Sequence, residues 1–405
     1  MAVGLQGLPE LHPVRGVRIG TGKAGIKKPD RRDLTVFELA PGSAVAAVFT
    51  RNRFCAAPVQ LAKRHLQTTE PRYLLINTGN ANAGTGAAGL LAAEACCQAL
   101  AERTGVPVTA VLPFSTGVIG EPLPVERIVA AMPQCLQALS ADGWALAAEA
   151  IMTTDTVPKG ASRRFSVAGK DYVLTGISKG AGMIKPNMAT MLAVVATDAP
   201  IEQTALQDAL AEAVRLSFNR ITVDGDTSTN DACVLVATGA AGGETLAAAH
   251  EGFAAFREAL QAVCLELAQA IVRDGEGATK LITVAVSEGA SEQECEQVAY
   301  AIAESPLVKT AFFASDPNWG RILAAVGRAG IDDLDVTKVR LYLDDLLIAE
   351  QGGRVAGYRE EEAAARMAKE EITIGVCLGR GSATATVWTC DFSYDYVRIN
   401  ADYRT

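Results

Sequence analysis

A chain of 405 residues is long enough for two or three domains of ordinary size and a large apolar core. Hydrophobic residues make up 49% of the sequence and charged residues 20%, which is typical of a folded globular protein and excludes a disordered one. The net charge is −9 and no basic cluster is evident, which argues against a nucleic-acid partner. No apolar run reaches the roughly 18 residues that a membrane-spanning helix needs, so we expect no membrane contact.

The nine cysteines and three histidines indicate neither a disulfide framework nor a metal site. The cysteines are odd in number and none stands in a CxxC pair, so we interpret them as free thiols of a cytoplasmic protein. The N-terminal segment also lacks the long apolar block of a signal peptide. His12, His65 and His250 are scattered and lack metal-ligand spacing, so neither a metal site nor a histidine-based triad is favoured.

The first part of the chain alternates short apolar strands with helices. We predict strands over Val45–Phe49 and Tyr73–Ile76, and a helix over Ala87–Arg103 that ends at Gly105. The loop Ile76–Gly86 is dense in asparagine and glycine, and its backbone N–H groups could bind a phosphate or a carboxylate. Its spacing matches no nucleotide-binding motif, so a structural turn is the default interpretation.

Further along, the elements continue to alternate. Met191–Ala196 is apolar and partly β-branched, which predicts a buried strand. Apolar residues at helical spacing predict a helix near Glu202–Ser217 and a longer one from about Leu246 to Val272. In the last third we predict helices over Glu294–Glu304 and Glu360–Glu370, and strands over Leu281–Val286, Val339–Leu343, Ile372–Cys377 and Ala383–Thr389. The pattern indicates an α/β protein whose strands can pair antiparallel, and it leaves the strand order open.

The stretch KGAGMIKPNMATMLAVVATDA places a glycine-rich loop before Ala189-Thr190 and the predicted strand. Without a usable histidine, a hydroxyl nucleophile needs another base, and an N-terminal threonine can use its own α-amine, with a pKa near ~7.7–8.0. Thr190 gains that amine only if the bond to Ala189 is cut, which its own hydroxyl can do by attacking the preceding carbonyl. A purely structural strand-start threonine is the commoner explanation of such a pattern and stays open at this point.

A second segment, STGVIGEPLP, follows an apolar run. Gly117 lets a backbone N–H approach a ligand closely, and the Thr116 hydroxyl adds a second donor. Two such donors could hold a developing oxyanion. Taken alone, a plain turn before Pro122 explains this segment better.

Several other loops hold more polar residues than a turn needs. They contain Thr153, Thr154 and Asp155; Asp274, Glu276 and Lys280; Asp316, Asn318, Trp319 and Arg321; and, at the C-terminus, Asn400 and Thr405. Taken singly, each is better explained as a solvated or capping loop, and a C-terminal tail without a function is expected to fray.

The stretch KGAGMIKPNMATML closely resembles the self-cleavage signature of the ornithine acetyltransferase family, the arginine-biosynthesis proteins called ArgJ. The resemblance covers essentially the whole chain. The blocks STGVIGEPLP, MTTDTVPK, VDGDTSTND, RDGEGATK, SDPNWGRI and YVRINADYRT look like that family's blocks in the same order.

The resemblance implies that the chain cleaves itself between Ala189 and Thr190. The products are an α chain, 1–189, and a β chain, 190–405, which form one intertwined catalytic unit. Thr190 then accepts acetyl from N2-acetylornithine and passes it to glutamate, and some members of the family also use acetyl-CoA as donor. No bound cofactor is required. The implied fold is a layered α/β sandwich with mixed sheets, shared with self-processing aminopeptidases, and the implied assembly holds two α and two β chains.

The resemblance also assigns the site. Thr116 and Gly117 are implied to form the oxyanion hole. Substrate contacts are implied for Thr153, Lys179, Thr190, Glu276, Asn400 and Thr405. This mix of charges suits a site that must bind both ornithine, with its cationic side chain, and glutamate, with its anionic one. Two alternatives remain: a self-processing amidase or aminopeptidase, and an amino-acid-binding protein in which Thr190 is inert.

Overall fold

The computed structural model describes residues 2–185 and 191–402. The chain divides into two compact units. The larger unit comprises Gln6–Asn219 and Thr227–Ile271, and the smaller unit comprises Met1–Leu5, Arg220–Asp226 and Val272–Thr405.

The larger unit consists of two sheets with helices packed against them. Its elements in chain order are β1 (Val17–Gly22), β2 (Leu34–Leu39), β3 (Ala44–Phe49), α1 (Ala57–Leu66), β4 (Tyr73–Asn80), α2 (Gly86–Thr104), β5 (Val111–Val118), α3 (Val125–Gln137), α4 (Trp144–Ala150), β6 (Lys159–Val167), β7 (Lys170–Lys179), β8 (Leu192–Thr197), α5 (Gln203–Arg215), β9 (Ala232–Ala237) and α6 (Phe253–Arg273). One sheet has the order β1-β2-β4-β5, and the other has the order β3-β9-β8-β7-β6.

Both sheets are mixed, since β4 pairs parallel with β5 and β8 parallel with β9 while the other neighbours are antiparallel. Strand β2 shows why the layers form. Phe37 packs into the apolar core shared with the second sheet, whereas Leu34 and Val36 pack into a core that includes residues of α2 and α3. Successive side chains of a strand point to opposite faces, so one alternating sequence serves both layers.

The smaller unit is one six-stranded sheet covered by helices. Its elements are β10 (Leu281–Gly289), α7 (Glu292–Ala303), α8 (Pro306–Phe313), α9 (Trp319–Gly327), β11 (Arg340–Leu343), β12 (Leu346–Glu350), β13 (Gly353–Arg354), α10 (Glu360–Met367), β14 (Glu371–Cys377), β15 (Ala383–Cys390) and α11 (Tyr394–Ala401). The strand order is β13-β12-β11-β14-β10-β15, and only β10 and β14 pair in parallel. Its core lies between this sheet and helices that include α7.

The predicted α/β class with layered, mixed sheets is confirmed. So is the helix predicted over Ala87–Arg103, which is α2 and ends at Gly105 with a φ of +71°. The helix predicted from Leu246 is wrong at its start, because α6 begins at Phe253. Leu246 instead bridges to Ile201, and the chain turns before Gly252, where a Cβ would lie 2.1 Å from Val167.

The predicted cleavage junction falls inside the larger unit, so the two compact units do not coincide with residues 1–189 and 190–405. Strand β7 precedes the junction and β8 follows it, yet the two pair antiparallel from Leu174 opposite Thr197 to Lys179 opposite Leu192. Segments from both sides of the junction therefore build one sheet. In the part of the chain that the structure describes, no helix combines the length and the apolar character that crossing a membrane takes.

Candidate active site

The two oxyanion-hole candidates lie where the ends of β4 and β5 run side by side. Thr116 pairs with Thr78, and Gly117 pairs with Gly79. Gly117 has a φ of +133°, and a Cβ at this position would lie 2.3 Å from the carbonyl carbon of Gly79. The close approach of the two backbones therefore requires glycine at 117. Thr116 and Gly117 are both half-buried, which suits donors that face a bound ligand.

Side-chain hydrogen bonds fix this pair of strand ends. The Ser115 hydroxyl donates to Oδ1 of Asn77 at 2.6 Å, which links β5 to β4. The Nδ2 group of Asn230 donates to the carbonyl oxygens of Ala81, at 2.6 Å, and Ser115, at 2.9 Å. Asn230 was missed by sequence reasoning because its partners lie more than a hundred residues away in the chain. Within the asparagine-rich loop, Nδ2 of Asn77 donates to the carbonyl oxygen of Asn80, and Nδ2 of Asn82 donates to that of Gly89, so both side chains stabilise the local backbone.

Lys179 joins the oxyanion-hole candidates. Its ammonium donates to the hydroxyl oxygen of Thr116 at 3.3 Å. Lys179 is buried at the end of β7, where it pairs with Leu192 at the start of β8. The structure therefore brings together three of the residues assigned from the sequence.

A buried carboxylate holds the loop beside Lys179. Oδ1 of Asp155 accepts from the ammonium of Lys159 at 2.6 Å and from the backbone N–H of Gly180 at 2.7 Å. Oδ2 accepts from the backbone N–H of Thr153 at 2.9 Å. Burial alone would raise the pKa of Asp155, but the charges of Lys159 and Lys179 hold that pKa well below its ordinary value. Asp155 is therefore an anion at every physiological pH.

We refer to Thr116, Gly117, Asp155, Lys159 and Lys179 as the strand-end cluster. Its three charged members are two ammonium groups and one carboxylate, so among them positive charge is in excess. Positive charge that is largely removed from water favours a developing oxyanion or a substrate carboxylate.

Sequence reasoning noted Asp155 only as a loop residue and gave no role to Lys159. The two stand four residues apart, a spacing that suggests an ion pair but does not place it in the interior. Thr153 contributes its backbone to this loop: its N–H bonds Asp155, and its carbonyl oxygen accepts from Nη1 of Arg31 at 3.3 Å.

Ala189 and Thr190 lie outside the described residues, and so does Thr405. The residues that flank the first two are described. The carbonyl oxygen of Lys185 accepts from the Thr227 hydroxyl at 2.9 Å, and Leu192 pairs with Lys179. The chain that contains the predicted nucleophile is thus anchored on both sides within the larger unit.

The remaining assigned residues form a pair in the smaller unit, which we call the Glu276 pair. Nδ2 of Asn400 donates to Oε2 of Glu276 at 2.7 Å, and the Glu276 side chain is buried. The next residue, Gly277, has a φ of +72°, and a Cβ there would lie 2.5 Å from the backbone nitrogen of Tyr396. This close packing places the Glu276 loop directly against α11, the helix that carries Asn400.

The cysteines and histidines make poor candidates for the chemistry. Burial raises the pKa of Cys96 and of Cys264 to about 12, so both remain neutral thiols at physiological pH. His65 is buried with Nδ1 bonded to the carbonyl oxygen of Val111, and Nδ1 of His250 accepts from the backbone N–H of Gly252. Within residues 2–185 and 191–402, no group of three or more His, Cys, Asp or Glu side chains is arranged to hold a metal ion.

Residues 18–405 match the model of the ArgJ family. The chain belongs to the ArgJ family. It is 60% identical over 406 residues to the arginine biosynthesis bifunctional protein ArgJ of Pseudomonas syringae pv. tomato, in a match that covers 100% of both chains.

Two solved structures of related proteins are also similar to this ArgJ-family chain. The crystal structure of the arginine biosynthesis bifunctional protein ArgJ of Bacillus halodurans shares 46% identity, covering 50% of this chain and 95% of that one, with a TM-score of 0.49. The ornithine acetyltransferase of Mycobacterium tuberculosis, crystallised with ornithine, shares 32% identity, covering 44% of this chain and 94% of that one, with a TM-score of 0.39.

Membership of the ArgJ family confirms the family predicted from the sequence blocks. It also confirms the predicted class of enzyme, an acetyltransferase of arginine biosynthesis. An amidase and a non-catalytic binding protein are correspondingly disfavoured.

Proposed function

We propose that Thr190 carries the acetyl group which this ornithine acetyltransferase moves from N2-acetylornithine to glutamate. Cleavage of the bond after Ala189 would make Thr190 N-terminal and supply its α-amine as the base. The observation that carries the proposal is the position of the strand-end cluster, which lies at the end of β7 directly opposite the strand that follows Thr190.

Chain connectivity supports this placement. Leu192 pairs with Lys179, and Lys179 donates to the Thr116 hydroxyl. Thr190 precedes Leu192 by two residues in the sequence, and two residues of extended chain span at most about 7 Å. The oxyanion donors and the nucleophile can therefore act on the same acetyl carbonyl.

The contact between Lys179 and Thr116 supports the proposal that Thr116 is an oxyanion donor. A threonine hydroxyl has one hydrogen to donate, and its oxygen here already accepts from the Lys179 ammonium. The Thr116 O–H is thus left to donate to another acceptor and is polarised by the cation. The Gly117 N–H would supply the second donor, so the negative charge of a tetrahedral intermediate would be held by two hydrogen bonds.

The reaction then proceeds in two halves. The Thr190 hydroxyl oxygen attacks the acetyl carbonyl carbon of N2-acetylornithine while its proton passes to the α-amine. The carbon–nitrogen bond breaks, the proton moves to the departing ornithine amine, and an acetyl ester remains on Thr190. The neutral amine of glutamate attacks this ester, N-acetylglutamate leaves, and the Thr190 oxygen regains a proton.

Charge supports the division of substrate contacts. The excess positive charge of the strand-end cluster suits a carboxylate or an oxyanion, with Lys179 as the substrate contact and Thr153 beside it. The resemblance assigns Glu276 and Asn400 of the smaller unit to substrate binding, and the carboxylate of this pair has the charge that suits the cationic side chain of ornithine. The resemblance adds Thr190 itself and Thr405 to the substrate contacts.

We also propose that acetyl-CoA serves as a second acetyl donor and that no bound cofactor takes part. The α and β chains would remain associated, which is supported by the pairing of β7 with β8 across the junction. An assembly of two α and two β chains and a cytoplasmic location stay predictions.

Mutation of the nucleophile tests the proposal. Thr190→Ala should leave the full-length 42.3 kDa chain uncut, because no hydroxyl remains to attack the preceding carbonyl. Thr190→Ser should still cleave, more slowly. Thr204→Ala, which alters an exposed threonine at the start of α5, is the matched control and should cleave as the wild type does. A denaturing gel with N-terminal sequencing gives the readout, and cleavage of Thr190→Ala between 189 and 190 would refute the proposal.

A further inference from the structure

The loop between β1 and β2 concentrates positive charge in an acidic protein. Residues 23–33, KAGIKKPDRRD, contain two carboxylates and five cations: Lys23, Lys27, Lys28, Arg31 and Arg32. We refer to residues 23–32 as the basic loop. The expectation that the chain has no basic cluster is therefore wrong for residues 23–33. A net charge of −9 describes the whole chain and does not show a local excess of positive charge.

The basic loop has a defined shape. Asp33 is buried, and its two carboxylate oxygens accept from the backbone N–H groups of Ala24 and Ile26, both at 2.6 Å. Nη1 of Arg127 donates to the carbonyl oxygen of Gly25 at 2.8 Å. One of the two carboxylates is thus committed to holding the loop backbone, and every cation of the loop except Arg31 is exposed.

The middle of the basic loop packs on the strands that carry the oxyanion-hole candidates. Gly79, the partner of Gly117, has a φ of +95°, and a Cβ there would lie 3.2 Å from Cβ of Lys27 and 3.3 Å from Cγ2 of Ile26. Lys27 therefore lies directly against the strand pair that carries the oxyanion-hole candidates.

The C-terminal end of the basic loop reaches the Asp155 loop. The guanidinium of Arg31 donates to the carbonyl oxygens of Thr153 and Met152. The basic loop thus borders the candidate site from Gly79 to Thr153, and the side chains of Lys27, Lys28 and Arg32 are exposed along this border.

We propose that the basic loop binds the phosphate groups of a nucleotide thioester, and so forms the docking site for the nucleotide part of acetyl-CoA. The inference rests on the proposed function, since it gives the thioester access to Thr190. Neither N2-acetylornithine nor glutamate carries enough negative charge to use several exposed cations. A phosphorylated adenosine diphosphate group carries enough negative charge to contact several cations. Lysine and arginine are the side chains that bind phosphate best. The flexible arm between nucleotide and thioester lets the phosphates stay at the border while the acetyl group enters the site.

The test compares three acetyl donors with glutamate as acceptor. The variant Lys28→Gln/Arg32→Gln removes two exposed charges and leaves Lys27 and Arg31 in place. We expect the KM for acetyl-CoA to rise about tenfold at low salt, through the loss of two charge-assisted phosphate contacts. Values of kcat/KM for acetyl-pantetheine, which has the same thioester and no nucleotide, and for N2-acetylornithine should stay within about twofold of wild type. Isothermal titration with coenzyme A alone should show the same loss of affinity.

The matched control is Arg64→Gln/Arg164→Gln, which removes two exposed cations of the larger unit away from the basic loop. It should behave as the wild type with all three donors. An unchanged KM for acetyl-CoA in Lys28→Gln/Arg32→Gln, or an equal loss with acetyl-pantetheine, would overturn the inference. So would a wild-type enzyme that neither uses acetyl-CoA nor binds coenzyme A. In that case acetylation of the β chain at Thr190 by N2-acetylornithine alone would show that the proposed role of Thr190 survives.

Discussion

The strand-end cluster and the Glu276 pair are built in different ways. In the first, each group stands at the end of a strand or is held by a buried carboxylate, and the backbone approach at Gly117 leaves no room for a side chain. In the second, a buried loop carboxylate meets an exposed asparagine on α11, a helix without a buried residue. Preorganised donors are what transition-state stabilisation requires, whereas a single charge contact suffices for substrate binding. Damage to the first should therefore lower kcat, and damage to the second should raise KM.

Gly117→Ala should have the largest effect. The added Cβ would overlap the Gly79 carbonyl carbon and force apart the strands that carry the oxyanion donors. We expect kcat to fall at least about a hundredfold, the loss seen when one oxyanion donor is removed. Gly120→Ala is the matched control, because Gly120 also has a positive φ, +85°, but a Cβ added there would meet no atom within 4 Å. Similar kcat values for the two variants would mean that the close approach at 117 plays no part in catalysis.

Asp155→Asn should come next and should affect stability as well as turnover. It leaves Lys159 and Lys179 without their shared buried anion, a change that typically costs about 3–5 kcal/mol of unfolding free energy. Turnover should fall because Lys179 loses the charge that helps to position it against Thr116. Denaturant unfolding and steady-state kinetics on the same sample measure both effects. If the unfolding free energy and the turnover of Asp155→Asn both equalled the wild-type values, the Asp155 carboxylate would neither stabilise the fold nor position Lys179.

The pH dependence of the unfolding free energy also tests the role of Asp155. The pKa of Asp155 is held below its ordinary value in the folded protein, so its contribution is present above the unfolded-state pKa of about 3.9. That contribution is lost as the pH falls from there through the folded-state pKa. The stability difference between wild type and Asp155→Asn should therefore be constant from neutral pH down to about pH 5 and shrink below about pH 4. A stability difference between the two proteins that shrinks already near neutral pH would contradict the lowered pKa of Asp155.

Glu276→Gln should have the smallest effect and a different signature. The variant keeps the size of the side chain and removes the charge proposed to face the ornithine side chain. We expect the KM for N2-acetylornithine to rise about tenfold, with kcat changed much less. The KM for glutamate, which has no cationic side chain, serves as the internal control and should not rise. A fall in kcat with unchanged KM values would move Glu276 from binding to catalysis and would remove the contrast between the two regions.

The sequence predicted elements whose pattern is local. Helix α2 was found from its composition and its terminal glycine, and β8 from its apolar run. The strand order was not predictable, because β3 pairs with β9 across almost the whole larger unit and neither strand encodes its partner. The start of α6 was misplaced because the apolar pattern continues through Leu246 while the backbone turns before Gly252.

The same distinction holds for the site. Thr116 and Gly117 were recognisable as candidates only from the resemblance of the block STGVIGEPLP, because the segment alone was better explained as a plain turn. The role of Asp155 was not, since it depends on Gly180 and on burial beside Lys159. Interior electrostatics follow from tertiary packing, which a single sequence does not show.

The central claim is that the acetyl group rests on Thr190 between the two half-reactions. The most direct measurement mixes the enzyme with N2-acetylornithine alone, quenches within milliseconds and determines the masses of the separated chains. We expect one acetyl group on the β chain, located by fragmentation at Thr190, an unmodified α chain, and loss of the acetyl group when glutamate is added before the quench. A β chain that stays unmodified while the enzyme turns over would mean that acetyl passes directly between two bound substrates, and would contradict the account.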